Sequence, residues 1–233
     1  VKLARPDVFH PRIVLAGSPD RPQGDADDAD LIAALRRRGL HARWVSWDDP
    51  ATVEADLVIL RAADDLAERF DEFAAWTRRV RRLLNPPAAV LWNADERYRD
   101  DLARCGIAVS PVVGEPVPKE PVTALVFLGG EQSHAFTDTP VDADWEVWEF
   151  GHRTLTAAAH HLGLAPEELL CARVEVAGDH RDPRLVRLDL VAPSLGWRRL
   201  DPDARAARQR QFVLAVEAAL ERFGLGPLSH RRP

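Results

Sequence analysis

The sequence predicts an α/β half followed by an α+β half, and three observations carry that reading. In residues 1–113 short apolar strands alternate with helical patterns, the rhythm of a mostly parallel sheet with helices on both faces. In residues 123–233 an alternating hairpin sits between two long helical patterns, which suits antiparallel strands with helices packed on them. Between them SPVVGEPVPKEPV (110–122) holds four prolines and excludes a helix. The expected organisation is therefore a first domain over 1–113, a Pro-rich linker over 114–122 and a second domain over 123–233.

In chain order, PRIVLAG is a compact apolar strand, followed by an acidic loop and the helical pattern DLIAALRRRGL, which Gly39 closes as a C-cap. HARWVSW alternates, DLVILRA reads as a buried strand, and AAVLWN (88–93) reads as another by its apolar run. Leu66, Phe70, Phe73, Val80 and Leu84 recur at helical spacing over 65–84. A helix over 95–104 precedes a short strand, GIAVS. TALVFLGG is a strand ending in two glycines and leading into a loop. Then come a helix over 148–162 stopped by Gly163, the hairpin CARVEVAGDHRDPRLVRLDL, and a last helix over 203–223 entered through Asp201-Pro202.

Composition narrows the function. Hydrophobic content of 46% and charged content of 29% describe a globular chain able to bury a core. The net charge of -6 and the lack of a basic stripe argue against nucleic acid as a partner. No apolar run reaches the ~20 residues a spanning helix needs, and the N-terminal residues lack an apolar signal core, so no membrane partner and a cytoplasmic location are expected. Cys105 and Cys171 lack metal-site spacing and are expected to be buried free thiols. Of 31 basic residues only Lys2 and Lys119 are lysines.

Several chemical patterns can be weighed directly. GDADDAD (24–30) lacks the mid-loop Gly and closing Glu of a calcium loop, and reads as acidic helix capping. His160 and His161 point ~100° apart on a helix and do not suit one zinc ion. Ser133-His134 follows a strand and a double glycine, where a loop can approach a ligand closely. Neither a GxGxxG nor a Walker A pattern occurs. In the hairpin, alternation puts Arg173 and Glu175 on one face of the first strand, and Arg187 and Asp189 on one face of the second.

The order of DADDADLIAALRRRG, WVSWDDP, ADLVILRA and LWNADERYRDDLARCGI, followed by TALVFLGGEQSHAF, CARVEVAG and LVRLDLVAPSLGW, resembles the ATP-grasp superfamily, in particular the proteins related to glutathione synthetase and RimK-type ligases. The resemblance implies an N-terminal parallel-sheet pre-ATP-grasp domain followed by an α+β ATP-grasp part. This second part is expected to be truncated, lacking the elements that the resemblance assigns to the phosphate-binding lysines and the glycine-rich loop. It also implies ATP and Mg²⁺ as cofactors and an acylphosphate formed from a carboxylate. By the same resemblance Arg173 contacts the acylphosphate and Glu175 and Asp189 are metal acids. Lys119 is either the remnant of the first phosphate lysine or a linker residue, and Ser133 and His134, on their structural or substrate-contacting loop, are the further cofactor-binding candidates.

Two departures weigh against that chemistry. Arg187 stands where the resemblance implies an acid, and a guanidinium ~5 Å from a divalent ion at an effective dielectric of ~20 is repelled by about 6 to 7 kcal/mol. LRAADDL (60–66) replaces an aromatic cluster. The expectation is a shortened ATP-grasp protein that lacks productive ligation, needs no cofactor, and binds a small carboxylate or a partner. The alternatives are an active ATP- and Mg-dependent carboxylate–amine or carboxylate–thiol ligase, and a homodimeric interaction protein.

Overall fold

The computed structural model describes residues 10–111 and 122–226. Lys119 and most of the proline-rich segment lie outside them. The chain forms two compact units, one running up to Leu83 and resuming at Phe212, the other spanning Leu84–Gln211. Residues 84–111, which the sequence grouped with the N-terminal domain, cluster with the second unit.

In the first unit β1 (Ile13–Gly17) pairs in parallel with β2 (Ala42–Ser46) and β3 (Leu57–Leu60), with α1 (Leu31–Arg37) and the short α2 (Ala51–Glu54) in the crossovers. Both β1 and β3 are buried along their whole length, as strands covered on both faces must be. α3 covers Phe70–Arg79, shorter than the helical spacing over 65–84 predicts, because the chain then turns into β4 (Leu83–Leu84) and extends the sheet to the order β2-β1-β3-β4. Trp47, Phe73 and Trp76 pack with ring centroids 5.2–5.7 Å apart beneath it.

The acidic run after β1 does more than cap. Asp25 accepts from the Asp27 amide at the start of a 3₁₀ turn, while Asp28 is buried against Arg61, with the two side chains 2% and 1% exposed and 3.0 Å apart. Burial pushes the Asp28 carboxyl up from its ordinary value despite the attraction of Arg61. Its folded-state pKa thus lies above the unfolded one, so this group makes the fold less stable as pH rises past ~3.9. LRAADDL is an ion-pairing segment: Arg61 holds Asp28, Asp64 holds Arg21 and Ser18, and Asp65 accepts from the Trp47 indole.

In the second unit α4 (Pro87–Asn93) and α5 (Tyr98–Arg104) precede a five-stranded antiparallel sheet of order β7-β6-β5-β8-β9, formed by β5 (Thr123–Leu128), β6 (Glu131–Phe136), β7 (Pro140–Val141), β8 (Cys171–Ala177) and β9 (Arg184–Asp189). α6 (Trp145–His161) packs on one face, with Leu125, Phe127, Val174, Phe150 and Leu155 in the shared core. α7 (Pro202–Arg222) starts in this unit and ends in the first, and Asp201 caps it by accepting from the Asp203 and Ala204 amides at 3.0 and 2.9 Å.

Three expectations are corrected. AAVLWN is helical: Pro87 enters at the first turn, where its ring pre-sets the helical φ, and two alanines follow. The expected strand GIAVS contributes one parallel bridge, Val109 to Leu185. The loop expected after TALVFLGG is β6, because Gly129 and Gly130, with φ of +61° and +80°, make the two-residue turn that closes an antiparallel hairpin. Among the cysteines, Cys171 is buried as expected and Cys105 is exposed. No described helix is long and apolar enough to cross a membrane.

Removing one member of a buried pair strands the other charge, whereas removing both does not. Asp28→Ala is expected to cost about 3 to 5 kcal/mol in denaturant unfolding, and Asp28→Leu/Arg61→Met to recover most of it.

Candidate functional site

Of the sequence-predicted residues, Arg173, Glu175, Asp189 and His134 lie on the face of the five-stranded sheet opposite α6, with Ser133 beside His134 at a register shift of β6, while Lys119 is outside the described residues. Registers place them in two rows across the strands. His134 aligns with Val126, Val126 with Arg173 and Arg173 with Asp189, while Phe136 aligns with Ala124, Ala124 with Glu175 and Glu175 with Arg187. Side chains opposite each other on paired strands share a face, so each row presents a continuous line.

Arg173 is the centre. Its Nη2 lies 3.1 Å from Glu175 and 3.7 Å from Asp189, and its Nη1 donates to the Ser194 carbonyl at 3.3 Å. Side-chain exposures of 15%, 24% and 11% for Arg173, Glu175 and Asp189 put this trio in a partly dry setting, where a charge-assisted pair is stronger than on an open surface. Arg187 reaches Asp189 at 3.6 Å but is 58% exposed. The hairpin is thus the salt-bridged row that the alternation allows, and both acids converge on one guanidinium nitrogen.

Ser133 and His134 are placed by β6, not by a loop. Both are buried. The Leu195 carbonyl can only accept, so His134 Nε2 carries a proton across their 2.6 Å contact, and Nδ1 is hydrogen-bonded to the Ser133 hydroxyl at 3.0 Å, accepting from it when the ring is neutral. Together they tie β6 to the segment 190–200, which lies over this face. That segment passes close to Phe136 at Gly196, where φ is +65° and an added Cβ would stand 2.4 Å from the ring. Leu195 and Trp197 of that segment are fully buried.

The magnesium implied by the resemblance can be tested against this donor set. Mg²⁺ is held by one or two carboxylates plus phosphate and water oxygens, so two acids suffice in number. Glu175 and Asp189 already share one cation, and their convergence on Arg173 Nη2 brings their oxygens into one small region. The pair would suit a single divalent ion in number and placement, with Arg173 now occupying the position between the two acids and Arg187 opposing the ion from Asp189. The triphosphate is not matched in the same way: the described residues contain no lysine, and no group of three or more His, Cys, Asp or Glu suited to a metal occurs among them.

Residues 13–85 match a family model described as the N-terminal domain of the D-cycloserine synthetase DcsG. No curated protein matches the chain. Among solved structures, the crystal structure of D-cycloserine synthetase DcsG is similar at a TM-score of 0.75 and 22% identity, covering 89% of this chain and 99% of that one. A D-alanine–D-alanine ligase from Bacillus anthracis complexed with ATP gives 0.65 and 11%, covering 91% and 98%. The ATP-grasp ligase PsnB, complexed with a phosphomimetic variant of its minimal precursor, Mg and ADP, gives 0.59 and 14%, covering 89% and 99%. The chain therefore has the ATP-grasp fold, a parallel N-terminal sheet followed by an antiparallel one. Likeness along 99% of the synthetase chain gives no support to the expected shortening.

The two arginines differ in what they hold. Arg173→Met is expected to cost about 1.5 to 3 kcal/mol, because two partly buried carboxylates lose their charged partner, and Arg187→Met less than ~1 kcal/mol. Denaturant midpoints of the two variants check the ranking. A second comparison concerns the covering segment: Gly196→Ala is expected to lower the melting temperature by several degrees, since both its φ and the Phe136 ring resist a Cβ.

Proposed function

We propose that this chain is a ligase of the ATP-grasp class, joining a carboxylate to an amine or thiol at the expense of ATP. The observation that carries the reading is the convergence of Glu175 and Asp189 on Arg173, from adjoining strands of a fold shared with ATP-dependent ligases. Glu175 and Asp189 are the carboxylates assigned to Mg²⁺, and Arg173 is the cation assigned to the phosphorylated carboxylate. ATP would supply the phosphoryl group that activates the substrate carboxylate. What the chain's own residues do is orient and exclude water: Ser133 and His134 fix segment 190–200 over the charged rows, which keeps this face dry. In this proposal their cofactor contact is the shaping of that face. Lys119 remains the assigned phosphate contact.

A second reading, a protein that keeps the fold and binds a small carboxylate or a partner without ligation, is favoured by Arg187. Its guanidinium lies 3.6 Å from Asp189, where it opposes a divalent ion. The absence of lysine from the described residues points the same way. Homodimerisation remains a proposal for sedimentation to decide.

The readings separate by titration calorimetry with ATP, with and without Mg²⁺. The ligase reading expects Mg-dependent ATP binding that Glu175→Gln weakens at least tenfold and Arg187→Glu strengthens. It also expects ADP release on adding carboxylate and amine. Saturating nucleotide at ~100 times its dissociation constant adds about 2.7 kcal/mol of stability, readable as a melting shift. No heat and no shift at millimolar MgATP, with Arg187→Glu equally silent, would leave the binding-only reading in place.

A further inference from the structure

On the side of the five-stranded sheet away from the charged rows, the outer face of α6 borders a cavity of about 840 Å³. That is within the ~300 to 1,000 Å³ of small-molecule sites. Trp145, Trp148, Glu149, His152 and Arg153 line it. They lie along one side of the helix, since residues three and four apart are neighbours on its surface.

Two features of this wall are unexplained by folding. Trp145 is 72% exposed, one turn from Trp148, whose ring instead packs edge-on against Phe127 with centroids 5.5 Å apart. An indole so placed contributes nothing to the core and offers a flat apolar surface to the cavity. Glu149 and Arg153 stand four residues apart with the acid first, the arrangement that favours an intrahelical ion pair. They form none: the Arg153 guanidinium lies over the Phe150 ring at 5.7 Å, and Glu149 has no ion-pair partner among the described residues. The cavity therefore presents an indole, a carboxylate and a guanidinium, neither charge in an ion pair among the described residues, at successive turns along ~12 Å of the helix.

We propose that this groove binds a small aromatic zwitterion of the class of a free aromatic α-amino acid. Its ring stacks on Trp145, its ammonium is taken by Glu149 and its carboxylate by Arg153. The ring gains burial and an aromatic face, and each charge gains a partner of opposite sign. A monocation or monoanion of the same shape satisfies only one of the two and leaves the other facing its own charge type unpaired, so discrimination follows from the pair. The site is separate from the Glu175 and Asp189 face and does not rest on the ligase reading.

Titration calorimetry of the full chain with L-phenylalanine, 3-phenylpropionate and phenethylamine tests this. Expected is saturable binding of L-phenylalanine, with each analogue at least tenfold weaker. Trp145→Ala should weaken L-phenylalanine at least tenfold. Glu149→Gln should abolish the preference over 3-phenylpropionate, and Arg153→Gln the preference over phenethylamine. All three positions are exposed or edge the cavity, so unchanged melting curves confirm that the variants fold. Absence of saturable binding at millimolar L-phenylalanine, analogues that bind as well as the amino acid, or binding that disappears in Glu175→Gln and persists in Trp145→Ala would each overturn the proposal.

Discussion

The charged face depends on how the outer edge of β9 is sealed. An edge strand exposes alternate backbone donors and acceptors and is free to slip by one residue, which would move Asp189 and Arg187 to the wrong face. Here side chains from α4 and α5 take the place of a sixth strand. Asn93 accepts from the Leu190 amide at 2.6 Å and donates to the Leu188 carbonyl at 2.9 Å, and the Tyr98 hydroxyl accepts from the Leu188 amide. Arg99 donates to the Val186 carbonyl, and Asn85 joins Cys171 of β8 to Leu190 just beyond β9. Each bond has a geometry that only one register satisfies, so the pairings Arg173–Asp189 and Glu175–Arg187 follow from it.

With the register set, electrostatics determines what the face can do. Arg173 is held by two carboxylates and a carbonyl in a partly dry setting, which makes it the most constrained charge of the group. Arg187 is mostly in water and holds Asp189 loosely. In the proposed function a divalent ion would compete with Arg173 for the same two acids, and that competition would divide a ligase from a binding protein of the same fold. Exposure sets how strongly Arg187 opposes the ion, because a guanidinium free to swing into solvent escapes much of the repulsion that a fixed one suffers.

The hairpin β8–β9 and its charged face were legible in the sequence because apolar and polar residues alternate cleanly from Cys171 to Asp189, and both long C-terminal helices were legible from their spacing and from the Asp201-Pro202 entry. AAVLWN reads as a strand by its apolar content because a six-residue apolar run has no period that distinguishes strand from helix, and its helix signal lies just outside the run, in Pro86-Pro87. β6 was misread because EQSHAF looks polar, although Gly129-Gly130 directly after a strand is a hairpin signal. The clips from Asn85 and Asn93 span 86 to 105 positions, and nothing local in either asparagine announces them. Arg61, just past the end of β3, and Asp28, in the turn after β1, likewise meet 33 positions apart with a burial that no pattern reports. The outer face of α6 was read only as a pair of adjacent histidines, since exposure of Trp145 is a property of the packed molecule.

The most direct test of the charged face is paramagnetic broadening in the amide spectrum of the full chain on adding Mn²⁺ with ADP, because a bound Mn²⁺ erases signals only from nuclei close to it. The account predicts selective loss of amide signals in residues 171–177 and 185–191, restored by excess Mg²⁺ and absent in Glu175→Gln. Uniform, weak broadening that is identical in Glu175→Gln, or selective loss centred elsewhere, would contradict it.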